Sequence, residues 1–442
     1  MREPGQILVV SCYELGRQPI AAAQALGALE SEGFHPKAAD VAVERLADED
    51  LRNARLVAIS VPMHTALQLG VRVAERARAL NPQAKIAFFG LYAALNRAHL
   101  LAVHGDAVVA GEDARALVRL ARSVENGEEL GVSEAMPAKN DGLRLSRGKL
   151  PVLERYAKLS YLGEERLVAS VEASRGCKHL CRHCPIVPVY GGRFVTVPVE
   201  AVLADVEQQV AAGARHVSFA DPDFLNGPSH ALRIARELHA RHPEITFDAT
   251  IKVEHLLLHR ALLPLLVRAG MLFVVSAVES LNDEVLRALD KGHCAADVPR
   301  AIEAVREAGA EVRPTLLPYT PWTRLDDIPR LFDFALEHEL TEAIDPVQYT
   351  LRLLLPEGSW LLEGAGPWLG AFDAQAFSYR WTHPDRRVDE LWRVSAAAAG
   401  AGAGFDELRA LVPGHPGLAG SAKPARAVRK RAVPRLTEPW FC

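Results

Sequence analysis

Short apolar runs alternate with amphipathic stretches along most of this 442-residue chain, and few folds accept that alternation. In the first part, Ile7–Cys12, Leu56–Ser60 and Lys85–Gly90 read as buried strands. The stretches Pro19–Gly33, Thr65–Leu80 and Asp113–Glu125 read as helices between and after them. Strands separated by helices imply a parallel, doubly wound α/β sheet, which binds ligands outside the carboxyl ends of its strands. Here those ends fall at Cys12, Ser60, Gly90 and Ala110. A second series follows, with strands expected at Leu167–Ser174, His216–Phe219, Thr246–Thr250, Leu272–Ala277, Glu311–Leu316 and Ala343–Thr350. Helices are expected between them, such as Pro198–Ala212 and His230–Arg241. Six such units are too few for a closed eight-fold barrel and fit an open, partial one. The expected organisation is therefore α/β throughout: a Rossmann-like domain over 1–128, a linker over 129–165, a partial (β/α)6 barrel over 166–355, and a mostly helical or irregular extension over 356–442.

Charge narrows the partners. Lysine and arginine total 51 against 55 acidic residues, which gives no general electrostatic case for nucleic acid or an anionic membrane. The basic run Ser421–Arg435 reads as a solvated tail. Hydrophobic residues make up 49% and charged residues 24%, so the chain has the material for sizeable cores. No apolar stretch reaches the roughly 18 residues that a membrane helix needs. The run Ile7–Ser11 is too short for a signal peptide, so a cytoplasmic location is expected. In that compartment the six cysteines are thiols, redox groups or metal ligands rather than disulfides.

Three of those cysteines stand within eight residues, in Gly176-Cys177-Lys178-His179-Leu180-Cys181-Arg182-His183-Cys184, directly after an expected strand. Thiolates are soft ligands that suit iron–sulfur clusters, zinc or copper(I). A zinc site would normally call for a fourth protein ligand, for which His179 and His183 are candidates. The Cys-x3-Cys-x2-Cys spacing resembles the radical S-adenosylmethionine (SAM) superfamily. The resemblance implies that Cys177, Cys181 and Cys184 hold three irons of a [4Fe-4S] cluster, whose fourth iron chelates SAM. Reduction of the sulfonium then yields a 5′-deoxyadenosyl radical that abstracts hydrogen from substrate. The resemblance places His183 near the adenine. It places Asp221 and Asp223, in Phe219-Ala220-Asp221-Pro222-Asp223-Phe224, near the SAM ammonium, and Glu279, in Ser276-Ala277-Val278-Glu279-Ser280, near the ribose. That last segment carries Ala277 where the family more often has glycine. Lys252 and Glu254 are candidates for the SAM carboxylate or the substrate.

The amino-terminal half, including Gly111-Glu112, resembles the cobalamin-binding domain that precedes many radical SAM barrels. Domains that ligate cobalt from below carry Asp-x-His-x-x-Gly after the first strand. This chain has Ser11-Cys12-Tyr13-Glu14-Leu15-Gly16 there, without the histidine. His64 lies off that position and reads as a solvated loop residue, whereas Ser60, Thr65 and Gly90 sit where a nucleotide-like tail would meet the strand ends. Cobalamin is thus a candidate further cofactor, and a retained scaffold is the alternative.

Longer stretches narrow the resemblance: Pro185–Arg193, Ala220–Gly227, Thr250–Leu256, Lys291–His293, Pro318–Trp322, Arg352–Trp360, Trp381–Arg386 and Thr437–Cys442 are similar to the CUAEP/CCAEP-tail radical SAM proteins. In that family a cysteine or selenocysteine follows a cysteine and precedes Ala-Glu-Pro. The expectation is that a UGA codon for selenocysteine follows Cys442, and an in-frame Ala-Glu-Pro beyond codon 442 would support it. Cys12 and Cys294 are expected to be buried structural thiols. The resulting expectation is a radical SAM enzyme fed by an external flavodoxin- or ferredoxin-type electron donor. It would act on a small-molecule or peptide substrate that the sequence does not identify, with cobalamin-mediated methyl transfer as one candidate outcome. The alternatives are a noncatalytic zinc-binding adaptor and a cluster that only transfers electrons.

Overall fold

The computed structural model describes residues 1–111, 113–130, 144–412 and 432–438. Glu112, most of the basic run and the last residues, including Cys442, lie outside them.

The first domain is built on a five-stranded parallel sheet. Its strands are β1 (Ile7–Ser11), β2 (Lys37–Asp40), β3 (Leu56–Ser60), β4 (Lys85–Gly90) and β5 (Ala107–Ala110), in the order β2-β1-β3-β4-β5. This is a doubly wound order with a switch point beside β1. β1 and β3 are buried along their whole length, as expected of a parallel sheet covered on both faces. One face packs on helices Ile20–Ser31 and Ala114–Asn126, the other on helix His64–Leu80. β2 is marked by only four residues, Lys-Ala-Ala-Asp, too polar to stand out as an apolar run.

The segment after residue 143 is tied down. Leu145 and Leu150 enter a core of the first domain. Arg147 is buried against Asp205 at 2.7 Å and donates to the carbonyls of Gln18 and Ser170. Then β6 (Lys158–Tyr161) pairs antiparallel with β7 (Glu164–Val171), so the span expected as a linker contributes a strand.

β8 (Ser174–Gly176) and β9 (Phe194–Thr196) form a two-stranded ribbon. The expected single strand Leu167–Ser174 is thus broken at residues 172–173, where the Asp221 carboxylate takes the Ala173 N–H. β10 (His216–Phe219), β11 (Thr246–Thr250), β12 (Met271–Glu279) and β13 (Glu311–Leu316) continue from β7 as parallel neighbours, with helices such as Val199–Ala211 and Pro228–Arg241 between them. The sheet curls into a half-barrel.

The expected sixth strand, Ala343–Thr350, does not form. Residues Pro346–Thr350 make a 3-10 turn instead, and the one remaining trace is a parallel bridge between Tyr319 and Arg352. Pro346 has no N–H for a ladder. The N–H of Leu316 at the open edge is satisfied by the Gln348 side chain at 3.0 Å.

The extension contains β14 (Leu369–Asp373) and β15 (Ser378–Trp381), a hairpin where helical or irregular structure was expected, followed by helix Arg386–Gly400. The hairpin tip drives Phe377 into a core of the first domain. There His64 is not a solvated loop residue: it opens a helix, is partly buried and binds the Ala376 carbonyl at 2.6 Å. Finally β16 (Arg435–Leu436) returns to pair with β6.

Candidate active site

The carboxyl end of the half-barrel gathers the chemistry. After β8 the chain turns through Gly176 at φ 73°, where a Cβ would stand 2.3 Å from the Arg193 carbonyl, so only glycine fits. The cysteine loop begins there. Behind it, Asp221 holds the approach: one carboxylate oxygen accepts from the Ala173 N–H at 2.9 Å, the other from the Ser174 hydroxyl at 2.6 Å. Burial pushes Asp221 up to about 6. Both of its oxygens are thus engaged by the β8 segment in this structure. The loop is also anchored by Asn226, which accepts from the Lys178 N–H at 3.2 Å and stands 3.8 Å from the Cys177 sulfur. Arg182 closes it by donating to the Trp360 and Glu363 carbonyls.

Cys177, Cys181 and Cys184 are free thiols, close enough for a charge on Cys181 to oppose the ionisation of Cys177 and Cys184. Burial pushes Cys184 up to about 12. Two buried lysines answer them. Lys252, after β11, stands 3.7 Å from the Cys181 sulfur. Lys291 is 3% exposed and interacts electrostatically with Cys181 and Cys184. A soft three-thiolate set with buried cations beside it fits a metal–sulfur group of net negative charge.

At the end of β12, Glu279 sits at φ 63°, a conformation rare for a residue with a side chain. It bonds the Lys291 ammonium at 3.1 Å and faces His183 Nε2 at 3.3 Å. Despite burial, these partners hold its carboxyl well below the usual range. His183, Glu279 and the cysteine loop are therefore one cluster. Asp223 borders the same loop through His179, with His179 Nε2 and His255 Nδ1 at 3.5 and 2.8 Å from its Oδ2.

Lys291, His255 and Asn226 carry no role in the sequence reading beyond the quoted stretches Lys291–His293, Thr250–Leu256 and Ala220–Gly227, whose strand-end position was the available signal. Cys294 is exposed, not buried, with its sulfur 3.2 Å from Asp297 Oδ2. Cys12 is buried as expected.

In the first domain, the strand ends open on a cavity of about 650 Å³ lined by Cys12, Tyr13, Val41, Thr65, Tyr156 and Glu438, among others. Tyr156, from the connecting segment, donates to Asp40 at the end of β2, and Tyr13 donates to Glu438 of the returning tail. A second cavity of about 170 Å³ is shared by Pro62 and Met63 of the first domain and by Ser170, Glu172 and Ala220 of the half-barrel.

Comparison with known proteins agrees with this architecture. Residues 171–335 match the radical SAM superfamily, so the chain carries a radical SAM domain, a domain of enzymes that use a [4Fe-4S] cluster and SAM. A 70-residue stretch is 39% identical to tRNA-2-methylthio-N(6)-dimethylallyladenosine synthase of Fusobacterium nucleatum subsp. nucleatum, covering 14% of this chain and 16% of that protein. The fold is similar to the radical SAM methyltransferase TsrM from Kitasatospora setae with cobalamin and a [4Fe-4S] cluster bound: TM-score 0.69, 16% identity, 90% of each chain. It is also similar to the cobalamin-dependent SAM radical enzyme OxsB with aqua-cobalamin bound: TM-score 0.66, 14% identity, 88% of this chain and 66% of that one. Among the described residues no helix is long and apolar enough to cross a membrane.

Proposed function

We propose that this chain is a radical SAM enzyme whose cluster is held by Cys177, Cys181 and Cys184. The observation that carries the proposal is three thiols on one loop, with buried Lys252 beside Cys181, buried Lys291 acting on Cys181 and Cys184, and Glu279 bound to Lys291. When bound, the cluster and SAM supply a 5′-deoxyadenosyl radical for hydrogen abstraction. The protein's own part is electrostatic and steric. Lys252 and Lys291 offset the charge of the thiolates and of a SAM carboxylate. Glu279, fixed by Lys291, accepts hydrogen bonds from ribose hydroxyls, and His183 borders the adenine.

The cavity at the strand ends of the first domain is the proposed cobalamin site. It lacks a histidine in the first loop, so no lower ligand to cobalt comes from that loop. Methyl transfer to an unidentified substrate is the reaction this arrangement supports, with electrons from a flavodoxin- or ferredoxin-type donor. The finer likeness to CUAEP/CCAEP-tail proteins is part of the same proposal and rests on the sequence stretches alone.

Anaerobic reconstitution tests the metal assignment. The expected result is about four irons and four sulfides per chain, lost on Cys181→Ala. About one zinc in place of iron would point to the adaptor alternative and overturn the proposal.

A further inference from the structure

Beside the cysteine loop, three side chains from three different elements converge. His179 comes from the loop itself, Asp223 from the turn after β10, and His255 from the helix Val253–Leu258 after β11. Their ligand-capable atoms all lie within 4.8 Å of one another. Asp223 and His255 are 0% and 7% exposed. His255 Nδ1 is 2.8 Å from Asp223 Oδ2, and His179 Nε2 is 3.5 Å from it. Asp223 Oδ2, His255 Nδ1 and His179 Nε2 are nevertheless each buried without a hydrogen-bond partner. Three unpartnered ligand-capable atoms gathered within 4.8 Å of one another suit a shared cation. Ligands 2.0–2.2 Å from a tetrahedral ion stand about 3.3–3.6 Å apart, which the His179–Asp223 separation of 3.5 Å matches and the His255–Asp223 separation of 2.8 Å falls short of.

The surroundings agree. Asp223 is held below the usual carboxylate range by the two imidazoles despite its burial, so it is an anionic donor. His179 has its other nitrogen, Nδ1, 3.6 Å from Glu254 Oε2, so a carboxylate stands behind the ring at ion-pair distance. Glu254 is fixed in turn by Lys252 at 3.4 Å, and Gly292 leaves it room, since a Cβ there would stand 2.5 Å from Glu254 Oε2. Lys252 is also the residue beside Cys181.

We propose a second metal site, formed by His179, Asp223 and His255, that takes one divalent transition-metal ion of the zinc type. Two imidazoles and one carboxylate are a donor set for such ions, and three protein ligands leave a position open for water or another oxygen donor. The site adjoins the cysteine loop through His179 but uses none of the three thiols as a ligand, and the proposal does not depend on radical chemistry.

The test uses the full-length chain with its cluster reconstituted, equilibrated with zinc chloride and desalted for elemental analysis. The expected composition is about four irons plus one zinc per chain. In His255→Gln, and separately in Asp223→Asn, iron is unchanged and zinc affinity falls by 100-fold or more, on the order of the upper range for metal-site changes. Glu254→Gln weakens zinc by about 10-fold. Since Asp223 is buried and its variant is at risk of misfolding, the cluster-free Cys177→Ala/Cys181→Ala/Cys184→Ala chain is titrated with cobalt(II) as a second measurement. One equivalent with visible d–d absorption and no thiolate-to-cobalt charge transfer is expected. Absence of zinc from the wild type, zinc retained in both variants, or zinc rising only as iron falls would each overturn the proposal. A chain that binds zinc as described but fails to assemble four irons would contradict the radical SAM reading alone.

Discussion

Glu279 couples a strained backbone to a buried ion pair. Its left-handed conformation persists because Lys291 and His183 hold the side chain. Removing one partner of such a pair strands the other. Glu279→Gln should cost about 3–5 kcal/mol in chemical denaturation, and Glu279→Gln/Lys291→Met should recover much of it; equal losses in the single and double variants would refute the coupling. The folded Glu279 ionises below its ordinary value of 4.5, so its contribution is present above that pH and fades as pH falls. Asp221 has the opposite sign. Its folded pKa is raised from 3.8 to about 6, so it favours the fold most below pH 3.8, and that contribution is lost as pH rises through 6. Ser174→Ala removes one of its donors and should cost about 1–3 kcal/mol at neutral pH. Thermal unfolding of the two proteins across pH 4–7 should show the gap widening as Asp221 ionises; a gap independent of pH would contradict this role. The three cysteines were legible at this scale because spacing on one loop is a local property. The engagement of Asp221 was not, since its partners Ala173 and Ser174 lie nearly fifty residues away.

At the level of elements, short buried strands declared themselves. Leu56–Ser60, Lys85–Gly90, His216–Phe219, Thr246–Thr250 and Glu311–Leu316 coincide with apolar or β-branched runs between turn residues. The failure at Ala343–Thr350 has a local cause that was legible, Pro346 inside the run, and a tertiary one that was not: Gln348 satisfies the sheet edge by its side chain, which no periodicity reveals. The hairpin of β14 and β15 was equally hidden, because its value lies in what its tip touches. Phe377 is 3% exposed, packed in the first domain's core with His99 and His104 rings nearby. Phe377→Ala should cost about 3–5 kcal/mol and expose the hairpin to limited proteolysis before global unfolding. A wild-type cleavage pattern with unchanged stability would show that the hairpin does not latch the domains.

Across the whole molecule, two sheets present their carboxyl edges to a common region. Loops from both line the cavity of about 170 Å³, and Arg147, Phe377 and the tail strand β16 tie the two halves together. The half-barrel's cysteine loop and the first domain's strand-end cavity are thereby held in one framework, which suits chemistry shared between two cofactors. Alternation of strands and helices made both sheets readable; their mutual docking was not, because it rests on Arg147 and Phe377, single residues in segments with no period. The central claim is radical chemistry at Cys177, Cys181 and Cys184. Its most direct measurement is anaerobic: reconstitute the full chain, reduce with dithionite, add SAM and assay 5′-deoxyadenosine. The structure predicts product from the wild type and none from Cys181→Ala. A chain that holds its four irons and binds SAM, yet releases no 5′-deoxyadenosine, would contradict it.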